Sequence, residues 1–345
     1  MAKPKKIGIL TAGGDCPGLN AAIRGVGKTA ILKYGMEVVG ISSGFLGLLE
    51  NDYIPLNEAS LSGILTLGGT ILGTSREKPF KLKKDHHLAN EKPQLIKKHY
   101  YEQGFDCIVC IGGNGTMRTA SLLAKEGLNI IGLPKTIDND VWGTDQTFGF
   151  DSALLIAADA IDRLHSTANS HKRIMVIEVM GHHAGWLTLY AGMAAGGDVI
   201  LIPEIDYDIK HVNKYLKNRV KSGKPYSIVV VAEGIKKPKK VSAAAYIAEK
   251  IEDGVGIETR KTILGYIQRG GSPSPMDRLL ASSYGAYAVD LIAREAYGNM
   301  VMKDGETISH LPLSEVGGKL RLVPPNHPLV QKAYGLGVCM GKPMD

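Results

Sequence analysis

The chain repeats one pattern of hydrophobic and polar positions: a short apolar run, a polar or glycine-rich elbow, and a stretch with helical spacing. The apolar runs are rich in β-branched residues and too short for helices, which is typical of buried strands. Strands that alternate with helices predict a parallel sheet. The runs are KIGILTAGGD, MEVVGISSG, CIVCIGGNGT, NIIGLPKTID, RIMVIEVMGH, DVILIPE, SIVVVAEG and KTILGYIQRGG. We therefore predict an α/β fold.

One predicted helix also shows which face it buries. In DSALLIAADAIDRLH, apolar residues recur at Leu154, Leu155, Ala158, Ile161 and Leu164. This is the spacing of a helix with one apolar face. We expect that face to pack against a core.

Length and charge narrow the class of protein. At 345 residues the chain exceeds the usual size of one domain, so we expect two lobes, each a mainly parallel sheet sandwiched by helices. The net charge is only +7, and the basic runs KLKK at Lys81 and KKPKK at Lys236–Lys240 are expected to be solvated faces. We expect no nucleic-acid partner.

The sequence also argues against membrane association. No segment approaches the roughly 18 consecutive apolar residues of a membrane span, and the first residues lack the apolar core of a signal peptide. The cysteines Cys16, Cys107, Cys110 and Cys339 are too few and too scattered for a disulfide framework. Cys107 and Cys110 form a CxxC inside an apolar strand, where residues three apart point to opposite faces, so burial is expected. We expect a cytoplasmic protein.

Two elbows have the composition of phosphate-binding loops. TAGGDCPGLNAAIRG and IGGNGTMRTA each place glycines between a predicted strand and a predicted helix. Glycines let backbone N–H groups approach a phosphate at the positive end of a helix, and Thr116 could cap that helix or contact the phosphate. The elbows lack the Lys of a Walker A loop and the GxGxxG spacing, so neither a P-loop nucleotidase nor a Rossmann oxidoreductase is indicated.

A third stretch, GLPKTIDNDVWGTDQTFGF, concentrates the acids Asp138, Asp140 and Asp145 after a predicted strand. Open α/β sheets bind their ligands at the carboxyl ends of strands. A carboxylate there can take the proton of a hydroxyl that attacks a phosphoryl group. Asp138 and Asp140 could serve one site or divide the work, depending on whether the segment is extended or bent.

Arginines stand beside several of these elbows and strand ends. They are Arg76, Arg173, Arg260 and Arg269. The planar guanidinium suits bidentate phosphate binding, while a salt-bridged surface arginine is the alternative for each.

Together these motifs resemble those of the 6-phosphofructokinase family, in the same order and over about residues 5–290. The matching motifs are GGDCPGLNAAIRG, GGNGT, PKTIDND with GTDQTFGFDSA, VMGHHAGW, VILIPE and ETRKTILGYIQRGGSP. GGNGT alone is also similar to the GGDGT of NAD kinases and diacylglycerol kinases, which lack TIDND. The resemblance implies phosphorylation of fructose 6-phosphate at its 1-hydroxyl, the committed step of glycolysis, with ATP as co-substrate and Mg²⁺ as cofactor.

The resemblance also implies a role for each matched residue. Asp138 is implied as the general base, Thr136 and Asp140 as residues that hold the sugar phosphate, and Arg76 as support for the transferring phosphoryl group. The implied donor-binding residues are Gly13, Gly113, Asn114, Gly115, Thr116 and Lys135. The implied sugar-phosphate ligands are Arg173, Met180, Gly181, His182, Glu233, Arg260, Tyr266 and Arg269.

The resemblance further implies how the chain is organised. The phosphoryl-donor lobe is expected to comprise residues 1–149 plus about 268–318, and the sugar-phosphate lobe about 150–267 plus 319–345. Arg173 and Arg260 match arginines that reach in from a neighbouring subunit, so a homotetramer or homodimer with shared active sites is implied. Allosteric regulation stays open, because Arg24 matches one effector-site cation while Lys28 replaces another arginine.

Some positions depart from the bacterial pattern. Asn114 stands where many relatives have an acid near Mg²⁺, so it is expected to be a weak metal ligand that lacks the charge of a carboxylate. His182 replaces an arginine and Tyr266 a histidine. ATP-dependent relatives carry Gly at the position of Gly115, whereas pyrophosphate-dependent relatives carry Asp there with Lys at the position of Lys135. This chain has Gly115 with Lys135, and we rank ATP first as the donor.

Other functions are kept as alternatives. They are a pyrophosphate-dependent phosphotransferase, a kinase for another sugar phosphate such as sedoheptulose 7-phosphate, and an inactive regulatory subunit. Discrimination between sugar phosphates depends on the shape of the pocket.

Overall fold

The computed structural model describes residues 3–80 and 91–343. The strands found there are β1 (Lys6–Ala12), β2 (Glu37–Ile41), β3 (Tyr53–Leu56), β4 (Cys107–Gly112), β5 (Ile130–Pro134), β6 (Ile174–Val179), β7 (Val199–Leu201), β8 (Ser227–Ala232), β9 (Thr259–Ile263), β10 (Asn299–Asp304) and β11 (Thr307–Pro312). The α-helices found there are α1 (Leu19–Tyr34), α2 (Phe45–Glu50), α3 (Glu91–Glu102), α4 (Asn114–Lys125), α5 (Phe150–His171), α6 (Trp186–Ala194), α7 (Ile209–Lys221), α8 (Ala243–Val255), α9 (Pro275–Ala293), α10 (Leu313–Val316) and α11 (Pro328–Gly335). The KLKK run at Lys81 lies outside the described residues.

These elements form two compact units, each with its own sheet. The first unit comprises Met1–Thr136, Asp140–Asp151 and Arg269–Arg321. The second unit comprises Ile137–Asn139, Ser152–Gln268 and Leu322–Asp345. The chain therefore passes from one unit to the other within the TIDND stretch.

The sheet of the first unit has seven strands in the order β11-β10-β5-β4-β1-β2-β3. Its central strands pair in parallel, while β3 and β11 are antiparallel edges. Every residue of β4 and β5 is buried, as expected for strands covered by helices on both faces. The sheet of the second unit has four strands, all parallel, in the order β7-β8-β6-β9. The predicted α/β fold with mainly parallel sheets is confirmed.

The predicted core face of α5 is wrong in part. Leu155 is 62% exposed, whereas Ala153, Ala157, Ile161 and Ala168 are fully buried. Small alanines let a helix approach its neighbours closely. The buried stripe therefore follows the alanines rather than the larger leucines.

The prediction for the cysteines is confirmed, because all four are free and buried. Burial raises the pKa of the Cys16 thiol to about 12. It raises the pKa of the Cys107 and Cys110 thiols as well. Such thiols are poor nucleophiles and metal ligands. Within residues 3–80 and 91–343, no helix combines the length and the apolar character needed to cross a membrane.

Candidate active site

Three elbows meet at one edge of the larger sheet. They follow β1, β4 and β5, which are adjacent and parallel. Parallel neighbours end at the same edge, so residues 13–16, 113–116 and 135–136 are brought together there. This is where the sequence predicts a ligand.

The first two elbows are in direct contact. The Thr116 hydroxyl, which is buried, donates to the Ala12 carbonyl oxygen over 3.4 Å. Gly13 has a φ of 84°, a backbone conformation that favours glycine. Gly113 lies at the N-cap of α4 without a side-chain cap, so the first N–H groups of α4 stand at this elbow.

Two cationic side chains converge on the first elbow. The Lys135 side chain is only 3% exposed, and its ammonium donates to the Gly14 carbonyl oxygen. Arg269 donates from Nη1 to the Asp15 carbonyl oxygen over 3.0 Å. Buried positive charge beside backbone N–H groups is the electrostatic character of an anion site.

The backbone places Arg76 beside the same elbow. Gly13 donates its N–H to the Ser75 carbonyl oxygen over 3.0 Å. The Thr74 hydroxyl donates to the Gly13 carbonyl oxygen over 2.7 Å. Arg76 is the next residue along the chain, and its side chain is exposed.

A pocket of about 340 Å³ opens beside the second elbow. Its lining residues are Lys78, Phe80, Gly115, Arg118, Thr119 and Leu122. A Cβ added to Gly115 would meet no atom within 4 Å, so the pocket is open at that point. An aromatic ring with cations nearby suits a ligand that combines a flat ring and phosphates.

Sequence reasoning missed most of this lining. The helical members, Gly115, Arg118, Thr119 and Leu122, are spaced i, i+3, i+4 and i+7 along α4. That spacing marks one helix face, so the signal was present once Gly115 was placed at the donor site.

The TIDND segment is buried, and it is bent rather than extended. Asp138 and Asp140 are 9% and 7% exposed. Asn139 between them has a φ of 53°, a left-handed conformation in which neighbouring side chains no longer alternate as on a strand. Asp138 belongs to the second unit and Asp140 to the first. The two carboxylates therefore belong to different units.

Two neighbours of these acids have structural contacts. The Thr147 hydroxyl donates to the Thr136 carbonyl oxygen over 2.7 Å, which fixes the start of the segment. Asp145 accepts through Oδ2 from the Gly305 N–H over 2.8 Å, and thereby holds the turn between β10 and β11.

The second unit brings together a turn at residues 180–182 and Glu233. Glu233 accepts through Oε1 from the backbone N–H groups of His182 at 2.8 Å and Gly181 at 3.3 Å. Gly181 and His182 both have positive φ angles, 148° and 50°. The Met180 N–H donates to Gln268 Oε1 over 3.3 Å. The carboxylate of Glu233 thus orders a turn that bends sharply.

The candidate arginines of the second unit share one acid. Arg173 Nε lies 2.6 Å from Glu258 Oε2, and Arg260 bonds to Glu258 Oε1. Tyr266 is 76% exposed. Sequence reasoning missed Glu258, although it stands two residues before Arg260. Of the two side chains, Arg260 is exposed and Arg173 is half-buried.

The donor set does not fit a resident metal site. Across residues 3–80 and 91–343, no group of three or more His, Cys, Asp or Glu side chains is placed to hold a metal ion. Asn114 accepts through Oδ1 from the Gly318 N–H over 3.3 Å, so the backbone uses one of the two acceptor positions of the amide oxygen that is expected to bind Mg²⁺.

Comparisons with known proteins find similarity over nearly the whole chain. A sequence model of the family described as Phosphofructokinase matches residues 6–292. The protein named ATP-dependent 6-phosphofructokinase 3 of Bacteroides thetaiotaomicron is 60% identical over 337 residues, which cover 97% of this chain and 100% of that protein. The ATP-dependent 6-phosphofructokinase of Spirochaeta thermophila is 54% identical over 364 residues, 99% of either chain. Among solved structures, Pichia pastoris phosphofructokinase in the T-state is similar with a TM-score of 0.82 and 34% identity; the match covers 92% of this chain and 36% of that one.

Proposed function

This chain belongs to the phosphofructokinase family, and we propose that its site transfers the terminal phosphoryl group of ATP to the 1-hydroxyl of fructose 6-phosphate. The product is fructose 1,6-bisphosphate, and the reaction is the committed step of glycolysis. One observation carries this function: the chain is 60% identical over nearly its whole length to a relative named ATP-dependent 6-phosphofructokinase 3.

The open space at Gly115 supports ATP as the donor over pyrophosphate. The adjoining pocket has room for a nucleoside, and Phe80 and Arg118 suit a flat ring and a phosphate respectively. Pyrophosphate would leave this pocket unused. The ammonium of Lys135 is a point charge that can attract the phosphates of either donor, so Lys135 does not decide between them.

The reacting phosphates are assigned to the first elbow. The first N–H groups of α4, with Lys135 and Arg76, supply positive charge where negative charge spreads over the transferring group. Donors held by a folded backbone need little reorganisation during the reaction. We assign Gly13, Gly113 and Thr116 to the same cradle.

Asp138 is assigned as the general base. Its carboxylate takes the proton of the 1-hydroxyl as that oxygen bonds to the terminal phosphorus, and the bond from this phosphorus to the departing ADP oxygen breaks. Burial of Asp138 limits the access of water to its carboxylate. Asp140 and Thr136 are assigned to the orientation of the sugar.

The sugar phosphate is assigned to residues that the structure orders by hydrogen bonds. Glu233 and the turn of Met180, Gly181 and His182 are assigned to the sugar, and Arg269 with Tyr266 to its 6-phosphate. The Arg173–Arg260 pair is assigned to the 6-phosphate of a neighbouring subunit. The Arg260 side chain is 56% exposed, which supports that assignment. The assembly is then a homotetramer or a homodimer with shared sites.

Mg²⁺ is assigned to the substrate rather than to the protein. Mg²⁺ is commonly held by substrate phosphates and water with few protein ligands. The described residues provide no cluster of acids for it. We place the reaction in the cytoplasm, and the free, buried cysteines agree with a reducing compartment.

Initial rates with both donors and two sugars test this function. We expect kcat/KM to be higher for ATP than for pyrophosphate, and higher for fructose 6-phosphate than for sedoheptulose 7-phosphate. Higher efficiency with pyrophosphate would show that Lys135 outweighs Gly115. Binding of the sugar phosphate without turnover with either donor would indicate a regulatory subunit.

A further inference from the structure

A short segment after α10, residues 317–321, connects the second elbow, at the start of α4, to the TIDND stretch; we call it the strap. At one end it is fastened to Asn114, the first residue of α4. The amide nitrogen of Asn114 donates to the Lys319 carbonyl oxygen, and its amide oxygen accepts from the Gly318 N–H over 3.3 Å. The strap also lies against the body of the helix: a Cβ added to Gly317 would be 3.2 Å from the Cα of Arg118.

The other end of the strap pairs with the backbone of the TIDND stretch. Leu320 forms an antiparallel bridge with Val141. The Arg321 N–H donates to the Asp140 carbonyl oxygen over 2.9 Å. The Lys319 ammonium lies 5.8 Å from the centre of the Trp142 ring. The strap thus joins the N-terminus of α4 to the residue two positions after Asp138.

The two hydrogen bonds to the strap explain why residue 114 has an amide side chain. An amide offers a donor and an acceptor, and the strap uses both. An ionised Asp offers only acceptors, so it would face the Lys319 carbonyl oxygen without a proton between them. A negative charge at the start of a helix is otherwise favourable. Asp would therefore suit the helix and a metal ion, but not the strap.

We propose that Asn114 is a positioning residue. Its two hydrogen bonds to the strap hold the second elbow and the TIDND backbone in a fixed position relative to each other. This inference rests on the proposed function for its effect on the rate, because Asp140 and Asp138 are assigned there to the sugar and to the base. It replaces the expectation that Asn114 binds Mg²⁺. The strap then connects the second elbow to the TIDND stretch.

Trp142 reports the state of the strap directly. The chain has two tryptophans; Trp142 is 45% exposed and Trp186 is 2% exposed, so a soluble quencher reaches mainly Trp142. In Asn114→Asp the strap should detach and uncover the Trp142 ring. We expect the acrylamide quenching constant, measured without substrates, to rise up to about twofold, the increase available from 45% exposure. Quenching unchanged in Asn114→Asp would overturn the proposal.

Kinetics and metal binding separate positioning from metal ligation. Without the link, kcat of Asn114→Asp should fall by about tenfold to a hundredfold, because the TIDND stretch is no longer held in position. KM for ATP should change by less than about threefold. Mn²⁺ binding to the enzyme, followed by electron paramagnetic resonance, should not tighten. If the Asn114→Asp substitution tightens Mn²⁺ binding and keeps kcat, Asn114 is a metal ligand and the proposal fails.

Two further variants keep the test interpretable. Lys319→Ala retains the carbonyl that Asn114 binds but removes the ammonium over Trp142, so quenching should rise while kcat stays at the wild-type value. A fall of kcat in Lys319→Ala would mean that the Lys319 ammonium is needed for turnover, and it would overturn the role given to the Lys319 carbonyl oxygen. Asn114→Ala removes both hydrogen bonds without adding charge, and it replaces Asn114→Asp if circular dichroism shows that the Asp variant does not fold. Because quenching needs no substrate, its result stands even if the proposed function is wrong.

Discussion

The buried hydroxyl of Thr116 contacts the Ala12 carbonyl oxygen at 3.4 Å, so the two glycine-rich elbows are packed against each other. This packing leaves no space for a side chain between residue 112 and Thr116. A Cβ added to Gly112 would overlap the Oγ1 and Cβ atoms of Thr116. Only glycine at position 112 lets α4 begin this close to β4.

We expect Gly112→Ala to push Thr116 away and to separate the elbows. The overpacking should cost about 1–3 kcal/mol of unfolding free energy. It should also raise KM for ATP, because the start of α4 and its first N–H groups are displaced from the first elbow. Urea unfolding and initial rates measure the two effects.

Gly115→Ala is the matched control for this prediction. The same methyl group meets no atom within 4 Å at Gly115, and alanine raises helix propensity by about 1 kcal/mol over glycine. We expect Gly115→Ala to be as stable as the wild type or more stable. Equal destabilisation of both variants would mean that the elbows are not close-packed.

Charge at Gly115 should decide the choice of donor. We expect Gly115→Asp to lower kcat/KM for ATP by about tenfold to a hundredfold, because a carboxylate would repel the phosphates of a bound nucleotide. Gly115→Asn has nearly the same shape without the charge. It should retain more ATP activity than Gly115→Asp at low salt. Equal losses in both variants would assign the effect to size alone.

Apart from β9, which is mostly exposed, the strands that sequence reasoning found are largely buried on both faces. β4 and β5 read as continuous apolar runs because every residue is covered. The edge strands β3 and β11, and β10 beside β11, were missed, because each is partly exposed and the sequences YIPL, NMVMKD and TISHLP contain no long apolar run. Edges are covered on fewer sides, so they need fewer apolar residues.

Prediction of the site residues from the sequence was also incomplete. Glycines and acids at strand ends could be located from the pattern, since the carboxyl edge of a parallel sheet is a general binding position. The partner of Asn114 could not be found this way, because Gly318 is 204 residues away along the chain. Glu258 was missed because a charged residue just before a strand looks like any solvated acid until Arg173 is placed beside it.

A buried acid in the second unit predicts a dependence of stability on pH. Glu204 accepts from the N–H groups of Gly185 and Val323, each at 2.9 Å. Burial is the largest influence on its carboxyl group and raises its pKa above the usual 4.5, although the hydrogen bonds act in the opposite direction. A raised pKa in the folded state favours the protonated form. The stabilisation is complete below the unfolded pKa and is lost as the pH rises through the folded pKa.

The matched variant is Glu204→Gln, which stays neutral at every pH. We expect the unfolding free energy of the wild type to fall relative to that of Glu204→Gln as the pH rises from about 4 to about 8. Urea unfolding of both proteins at each pH measures this difference, and titration of all other groups cancels. A constant difference would mean that the backbone donors fully offset burial, and a difference that shifts in favour of the wild type would mean that they outweigh it.

The assignment of Asp138 predicts that proton removal and sugar binding can be separated. Asp138→Asn should lower kcat by about a thousandfold, since the amide cannot accept the proton. The affinity for fructose 6-phosphate, measured by calorimetry, should stay within a few-fold of the wild type, because the other assigned ligands remain. Near-normal turnover would exclude Asp138 as the base.

The assignment of Arg173 to a neighbouring site predicts recovery of activity between two inactive variants. In an equal mixture of Asp138→Asn and Arg173→Ala chains, reassembled from subunits, a site with the base from one chain and the arginine from the other is complete. Random pairing makes about a quarter of the sites complete, so we expect about a quarter of wild-type activity. Arg173→Lys retains the charge but loses the planar fork that Glu258 holds, and should show partial activity alone. Activity of the mixture no greater than the average of the two variants would place Arg173 in the site of its own chain or outside the site.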